Sequence, residues 1–338
     1  MGSTAVSVGI SNRKSVRVLG ILARAMVALV ALSAAGIFIF WMPTVTEPPY
    51  QFVLSWGQTG TAPGEFRDPT GLAASASELF VSDSRNARIQ VFDHEGNFLR
   101  AFGGTAGEGA VLKRPMNLAL TDKHLYVADY WQDMVFVFTL EGELVRTIGE
   151  AGSGPGQFNA PGGVAVAANG DLYVADFYNQ RVQQLSAQGE FIRQWGTTEK
   201  VGMLNGQLNY PTDVAIDVDG KVFIADGYNA RVQVFSAEGD FITKWGGPLG
   251  MNIDGAFNGW FRTVSSIELD KNNFVYTADF YNNRVQKFTA DGEFVNVFGK
   301  AGERQHEFDR VVAIAVGEDG TVFVSDFGHN RIQKWQLQ

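Results

Sequence analysis

The sequence predicts an all-β fold, a β-propeller of six four-stranded antiparallel blades. Three observations predict it: a motif that recurs six times, hairpin signals within each repeat, and one strand moved from the end of the chain to its start. In the third copy the motif reads Asp-Phe-Tyr-Asn-Gln-Arg-Val-Gln. Intervals of 46 to 53 residues between copies indicate one supersecondary unit stacked on copies of itself. The copies begin at Asp83, Asp129, Asp176, Asp226, Asp279 and Asp326.

The repeat between Pro161 and Gly196 contains four short strands. An apolar run precedes Asn169-Gly170, a two-residue hairpin signal, and another follows it. The motif then leads into a third run, and Gln188-Gly189 turns the chain into a fourth. The runs are apolar on both faces, as expected for sheets that are covered on both sides. Four-stranded sheets repeated radially form a β-propeller.

The two ends of the chain predict that the ring closes. Each outermost strand has an apolar residue, three further residues, an aromatic residue or isoleucine, and then glycine. Five such strands follow the six motifs, and the chain ends at Gln338 after a third strand. Residues 51–57 supply the missing strand, because Phe52 and Trp56 repeat its spacing. The N-terminal strand therefore completes the last blade and removes an open sheet edge.

The chain resembles the NHL-repeat family. The resemblance rests on the motif around Tyr173–Asp176 with Asn179 and Arg181, on Val127–Asp129, and on Pro161–Ala165 after Phe158. It covers nearly all of residues 51–338 and implies a six-bladed propeller, which the repeat count gives independently. It does not imply one function, because NHL propellers include protein-binding, RNA-binding, sensing and a few enzymatic members.

The N-terminal region predicts a membrane anchor. Residues 1–24 are basic and carry no acidic residue, whereas residues 25–46 carry no charge. A run of this length fits one transmembrane helix of about 20 residues. A cleaved signal peptide is the alternative, with Ser33-Ala34-Ala35 as the cleavage site. The apolar run continues to Met42, which favours an uncleaved signal anchor, since signal peptides have apolar regions of about 7–15 residues.

The predicted organisation is therefore a basic cytoplasmic segment (1–24), a transmembrane helix (25–46), a proline-rich linker (47–50) and a propeller (51–338). Basic residues before the helix keep the N-terminus cytoplasmic, which places the propeller in the periplasm or at a cell surface. The chain lacks cysteine, which excludes disulfides and thiolate chemistry. Its net charge is −9, and the part after residue 24 is more acidic still, which argues against nucleic-acid binding.

Strand direction sorts the loops onto two faces. The acidic-turn face carries the short turns after the first and third strands, such as Glu95-Gly96 and Asp291-Gly292. The aromatic face carries the turn after the second strand and the long connections between blades. Its clustered rings predict a binding surface for a protein partner or a larger membrane complex, with two arginines as polar anchors. Packing of these rings as local core is the alternative. The candidate residues are Tyr130, Trp131, Phe177, Tyr178, Tyr228, Phe280, Tyr281, Arg114 and Arg310.

No catalytic residue, metal site or cofactor is predicted. Enzymes on this architecture use the central channel, where the sequence places a mixed set without clustered histidines or carboxylates. We therefore expect an interaction scaffold or accessory subunit of a membrane complex. An exported hydrolase or lyase using the channel, and a glycan-binding module, remain alternatives. The channel positions are Asp68, Arg114, Asn117, Ala160, Gly163, Tyr210, Asp213, Thr263, Ser266, Arg310 and Ala313.

The repeated Asp, Asn and Arg of the motif are interpreted as scaffold rather than chemistry. The Asp accepts hydrogen bonds from its turn, and the Arg pairs with a carboxylate across it. Blade two departs from the motif, with Gln132 and Met134 in place of Asn and Arg.

The linker yields a prediction about orientation. The first strand runs from the acidic-turn face toward the aromatic face. The eight residues from Pro43 to Tyr50, which include the linker, span at most about 25 Å, so we expect the acidic-turn face to lie nearer the membrane than the aromatic face. Crosslinkers placed at Glu141 or Glu238 are expected to label lipid headgroups more strongly than those at Tyr178. Preferential labelling from Tyr178 would contradict this orientation.

Overall fold

The structure, a computed structural model, describes residues 47–104 and 111–338, which form six four-stranded antiparallel sheets. The predicted basic segment 1–24 and transmembrane helix 25–46 lie outside the described residues. Within those ranges, no helix has the length and hydropathy needed to cross a membrane. The all-β, six-bladed architecture predicted from the repeats is confirmed.

Each blade is an ordered meander, and its innermost strand comes first in the chain except where the ring closes. Blade one contains β2 (Pro69–Ala74), β3 (Glu78–Asp83), β4 (Arg88–Asp93) and β5 (Phe98–Phe102). Blade two contains β6 (Pro115–Leu120), β7 (His124–Asp129), β8 (Met134–Thr139) and β9 (Leu144–Ile148). Blade three contains β10 (Pro161–Val166), β11 (Leu172–Asp176), β12 (Arg181–Leu185) and β13 (Phe191–Gly196).

The remaining blades repeat this order. Blade four contains β14 (Asp213–Ile216), β15 (Val222–Asp226), β16 (Arg231–Phe235) and β17 (Phe241–Trp245). Blade five contains β18 (Val264–Leu269), β19 (Val275–Asp279), β20 (Arg284–Phe288) and β21 (Phe294–Phe298). Blade six contains β22 (Val311–Val316), β23 (Val322–Asp326), β24 (Arg331–Leu337) and β1 (Tyr50–Trp56). Short 3₁₀ turns lie at Ser84–Asn86, Gly227–Asn229, Pro248–Gly250 and Phe280–Asn282.

The predicted closure is confirmed by the pairing of β1 with β24. Phe52 faces Trp335 and Trp56 faces Ile332 across this ladder, so the two residues that signalled the missing strand lie in register with the last one. The strand begins at Tyr50. Before it, Glu47 forms a 2.6 Å ion pair with Lys287, and the Pro48 carbonyl accepts a hydrogen bond from Asn296, so the described end of the linker contacts blade five.

The hydrophobic core is divided among the blade interfaces. Each of the six main clusters in the described residues draws its side chains from two neighbouring blades, and one joins blade one to blade six. This division explains the two-sided apolar strands, because both faces of every blade pack on a neighbour.

The outermost aromatic residue of a blade packs beneath a glycine turn of the next blade. Gly292 has φ +89°, and a Cβ atom at that position would lie 2.5 Å from the Trp245 ring. The turn therefore needs glycine both for its left-handed backbone and for the close approach of the ring.

The motif forms a buried hydrogen-bond network that ties each blade to the loop before it. In blade three, Asp176 Oδ2 accepts hydrogen bonds from Asn179, from Arg181 Nε at 2.8 Å and from Gln183. Arg181 Nη2 also donates to the carbonyls of Gly154 and Gln157 in the preceding inter-blade loop. Burial raises the pKa of the Asp176 carboxyl, and these donors oppose that shift.

Blade two stabilises its carboxylate without an arginine. Asp129 is fully buried and accepts hydrogen bonds from the backbone N–H groups of Lys113, Arg114, Trp131 and Gln132. Blade three has one such backbone donor, Asn159 N, together with Arg181. Backbone dipoles therefore replace the guanidinium where Met134 replaces the arginine.

The network predicts a large and specific loss of stability. Arg181→Met leaves the Asp176 charge buried without its ion pair, which costs about 3–5 kcal/mol in the free energy of unfolding. Arg262→Met is the matched control: its arginine is exposed and lies 3.8 Å from Asp254, so we expect a change below about 0.5 kcal/mol. Equal losses for the two variants, measured by denaturant unfolding, would contradict the scaffold interpretation.

Candidate functional site

The aromatic face is built from the turns that follow the second strands of the blades. Each turn begins at a buried motif aspartate, so the next two side chains project from a fixed backbone. Trp131, Tyr178, Tyr228 and Tyr281 are the exposed members, with exposed fractions of 61, 46, 57 and 56%. Blade one has Ser84 and Arg85 in these positions, so the fold itself does not require aromatic rings there.

The rings of blades two to four form a continuous ladder. Tyr130 Oη donates a 2.8 Å hydrogen bond to Tyr178 Oη. Phe177 lies beneath, with its ring centroid 4.9 Å from that of Tyr210, which in turn lies 5.0 Å from Tyr228. Half-buried rings therefore support exposed ones, and the exposed rings are held in fixed positions.

The two predicted arginine anchors contact different parts of this face. The Arg114 guanidinium lies 5.2 Å from the Trp131 ring and 5.8 Å from the Tyr130 ring, so it extends the ladder at blade two. Arg310 lies 5.3 Å from the Phe327 ring and forms a 2.9 Å ion pair with Asp309. Phe327 contacts Phe280, and Phe280 contacts Tyr281, so a second aromatic group lies on one side of Arg310.

The hydroxyl groups of Tyr130 and Tyr228 stay protonated at neutral pH. Burial raises the pKa of Tyr130, and the hydrogen bond to Tyr178 raises it further. Burial likewise raises the pKa of Tyr228. Neutral phenols beside an arginine present apolar rings together with hydrogen-bonding groups, the combination found in binding hot spots.

The structure divides the predicted residues into two roles. Trp131, Tyr178, Tyr228 and Tyr281 are exposed, whereas Tyr130, Phe177 and Phe280 are half-buried and pack against neighbouring rings. The first group is open to solvent, and the second group packs locally against it.

Sequence reasoning missed or misplaced two aromatic residues. Tyr210 was expected at the channel but joins the ladder between Phe177 and Tyr228. Phe261 belongs to the long connection 246–263, a class of loop that the sequence assigns to the aromatic face, yet it is fully buried in the core between blades four and five. Its register could have revealed this, because Phe66, Phe158 and Phe308 occupy the same buried loop position.

The central channel contains a cavity of about 180 Å³ lined by the later halves of the innermost strands of blades one to five. Asp213 Oδ2 accepts hydrogen bonds from Asn117 Nδ2 at 2.6 Å and from Ile267 N at 3.0 Å. Glu268 also lines this cavity, and the sequence analysis did not select it. A charged residue within the otherwise uncharged strand β18 was the signal that could have identified it.

Both channel carboxyl groups hold their protons more tightly than usual. Burial raises the pKa of Asp213 to about 6. Burial also raises the pKa of Glu268 to about 8, and repulsion from Asp213 adds to the shift. No group of three or more histidine, cysteine or acidic side chains in residues 47–104 and 111–338 is arranged to hold a metal ion.

Sequence comparisons identify the repeats directly. A family described as a 6-bladed beta-propeller matches residues 108–198, and the NHL repeat family matches residues 208–235. The match to the NHL repeat falls on the first three strands of one blade, blade four. A curated relative, Protein brain tumor of Drosophila melanogaster, is 43% identical over 49 residues, which is 14% of this chain and 5% of that protein. The chain therefore matches a small fraction of that relative's length.

Solved structures share the fold of this propeller at low sequence identity. A protein of unknown function from Bacteroides thetaiotaomicron has a TM-score of 0.67 at 16% identity, covering 86% of this chain and 77% of that one. Streptogramin B lyase has a TM-score of 0.57 at 13% identity, covering 88% and 99%. The WD40 β-propeller domain of Doa1 has a TM-score of 0.58 at 11% identity, covering 86% and 98%. At these identities the comparisons show the fold alone.

The channel carboxyl pair predicts a pH-dependent difference in stability. Between about pH 5 and 8 the unfolded chain loses the Glu268 proton while the folded chain keeps it, so this residue's contribution to stability falls as pH rises. Relative to wild type, Glu268→Gln should gain on the order of 3 kcal/mol in unfolding free energy across that range. Unfolding titrations at several pH values measure this difference. Glu318 lies in an exposed turn, so the unfolding free energy of the control Glu318→Gln should change with pH as that of wild type does. If Glu268→Gln also changed with pH as wild type does, the folded chain would not hold a proton on Glu268.

Proposed function

We propose that this NHL propeller is a membrane-anchored, extracytoplasmic interaction module that binds a protein partner through its aromatic face. It acts as a scaffold or accessory subunit of a membrane complex. The observation that carries the proposal is the ladder from Trp131 and Arg114 through Tyr178 to Tyr228. Its exposed rings are supported from below, and blade one folds without aromatic residues at the corresponding positions.

The energetics of exposed rings support the same function. Rigid Tyr and Trp side chains provide a large contact area with little loss of rotamer freedom, and Arg adds directional hydrogen bonds. The ladder combines these three residue types on turns that the buried motif network holds in place. Less conformational entropy is then lost on binding, which favours affinity.

The membrane location is part of the proposal and rests on the N-terminal sequence. Residues 25–46 carry no charge and follow four basic residues, the pattern of a signal anchor with a cytoplasmic N-terminus. The acidic composition of the remaining chain supports a partner other than nucleic acid.

An exported hydrolase or lyase that uses the central channel is the second candidate. The raised pKa values of Asp213 and Glu268 favour it, because such shifts often occur at functional sites. The cavity of about 180 Å³ argues for the interaction role, since ligand sites commonly span about 300–1,000 Å³. Glycan binding would also use exposed rings.

The partner-binding role is tested on the full chain extracted gently from native membranes. Native mass analysis should show a stoichiometric protein partner, and Trp131→Ala with Tyr178→Ala should weaken the complex by at least about 30-fold, as expected for one hot-spot residue. Val145→Ala with Ile192→Ala is the matched control, because these exposed apolar residues lie on outermost strands away from the ladder. Undiminished binding by the aromatic variant, or a bound glycan in place of protein, would overturn the proposal.

A further inference from the structure

A second apolar surface lies on the loops that precede blades four and five. Its members are exposed aliphatic, methionine and phenylalanine side chains, unlike the tyrosine-rich ladder. We call it the apolar patch. It comprises Val201, Met203, Leu204, Leu249, Met251, Ile253 and Phe257.

The repeat itself shows that the scaffold does not require this patch. In five blades the motif arginine donates through Nη2 to the carbonyl at the tip of the preceding loop. The residue at this tip is Ala, Gly or Arg in blades one, three and six, but Leu204 and Phe257 in blades four and five, each 71% exposed. Among these five blades, only the two adjacent blades four and five therefore carry a large apolar side chain on this backbone geometry.

Two loops are joined into one continuous surface. Arg231 Nη1 donates to the Met203 carbonyl at 2.7 Å and to the Gly250 carbonyl at 3.3 Å. Asn252 Nδ2 lies 3.4 Å from Met203 Sδ. The loop before blade five therefore contacts the loop before blade four. Arg231 is fully buried, so the patch rests on a rigid support and is formed before any partner arrives.

Leu249 is the middle residue of the 3₁₀ turn Pro248–Gly250 in the loop before blade five. It is 80% exposed and has a left-handed backbone with φ 56°, a conformation that glycine or asparagine adopts at lower cost. An exposed leucine at such a position is consistent with a role for its side chain rather than for the turn.

The charges around the patch fit a second copy of the same chain. The rim carries both signs, with Glu199 beside Lys200 and Asp254 beside Arg262. A rim of mixed sign does not repel an identical copy. The acidic turns on the other face, such as Glu141-Gly142 and Glu238-Gly239, would instead repel an identical partner.

The size of the patch also suits a dimer. Seven large side chains contributing on the order of 100 Å² each approach the roughly 800 Å² per partner of a standard interface. Interfaces between identical subunits are richer in apolar area than other interfaces, and a two-fold contact buries the same patch on both copies.

We propose that the apolar patch joins two copies of this chain in a two-fold symmetric dimer. The dimer contact uses the loops before blades four and five, whereas the aromatic ladder uses the turns after the second strands. Dimer formation does not depend on the partner-binding proposal, and either can fail alone.

The test uses the full chain in mild detergent, with its mass measured by light scattering across a concentration series. The wild-type chain should be dimeric, and Leu204→Glu with Phe257→Glu should weaken the dimer at least about 100-fold and give monomers. Val145→Glu with Ile192→Glu, on exposed outermost strands, should remain dimeric. Both double variants should keep the wild-type circular dichroism spectrum, because the substituted side chains are exposed and the blades do not depend on them.

The absence of cysteine from the chain allows a direct check of proximity. A single Leu249→Cys or Met251→Cys should give a covalent dimer with a short bismaleimide, and Val145→Cys should not. A monomeric wild-type chain, a dimer that survives the two glutamates, or a different protein seated on the patch in the intact particle would each overturn the proposal.

Discussion

A buried carboxylate ends the second strand of every blade, and the rest of the structure depends on how it is neutralised. Asp83, Asp176, Asp226, Asp279 and Asp326 each meet a motif arginine within 2.9 Å, and that arginine also holds the loop from the preceding blade. A charge buried in this way is costly unless it is paired and fully hydrogen-bonded. The requirement fixes the turn, the start of the third strand and the path of the inter-blade loop together.

Because of this constraint, the backbone geometry repeats from blade to blade while the exposed side chains differ. Once backbone groups and motif side chains hold the loops, the projecting residues can change without disturbing the blades. Serine and arginine follow the aspartate in blade one, and aromatic residues follow it elsewhere. The loop tips vary in the same way, from Ala62 and Gly154 to Leu204 and Phe257. The two proposed interaction surfaces are therefore formed by variable side chains on a repeated backbone framework. Blades that lack these side chains show that the framework does not need them.

The blade order and the closure by residues 51–57 were predictable because the several copies of the motif identify the repeat even where one copy departs from it. A motif present six times outweighs a weak signal in one copy, and the Phe52–Trp56 spacing specified the missing strand. Surface and channel positions lack that redundancy. Glu268 and Tyr210 are single residues whose roles follow from three-dimensional neighbours, Asp213 in one case and Phe177 with Tyr228 in the other. The apolar patch depends on Arg231 drawing together two loops that are distant in sequence.

If the aromatic face binds a partner as proposed, its exposed rings are covered in the membrane and uncovered in the isolated chain. Hydroxyl-radical footprinting of native membranes, compared with the purified full chain, tests it at Trp131, Tyr178 and Tyr228. We expect strong protection of these rings in membranes and full reactivity after purification. Phe191, on an outermost strand, should be equally reactive in membranes and in the purified chain. Equal labelling of the ladder in membranes and in the purified chain would contradict partner binding through the aromatic face.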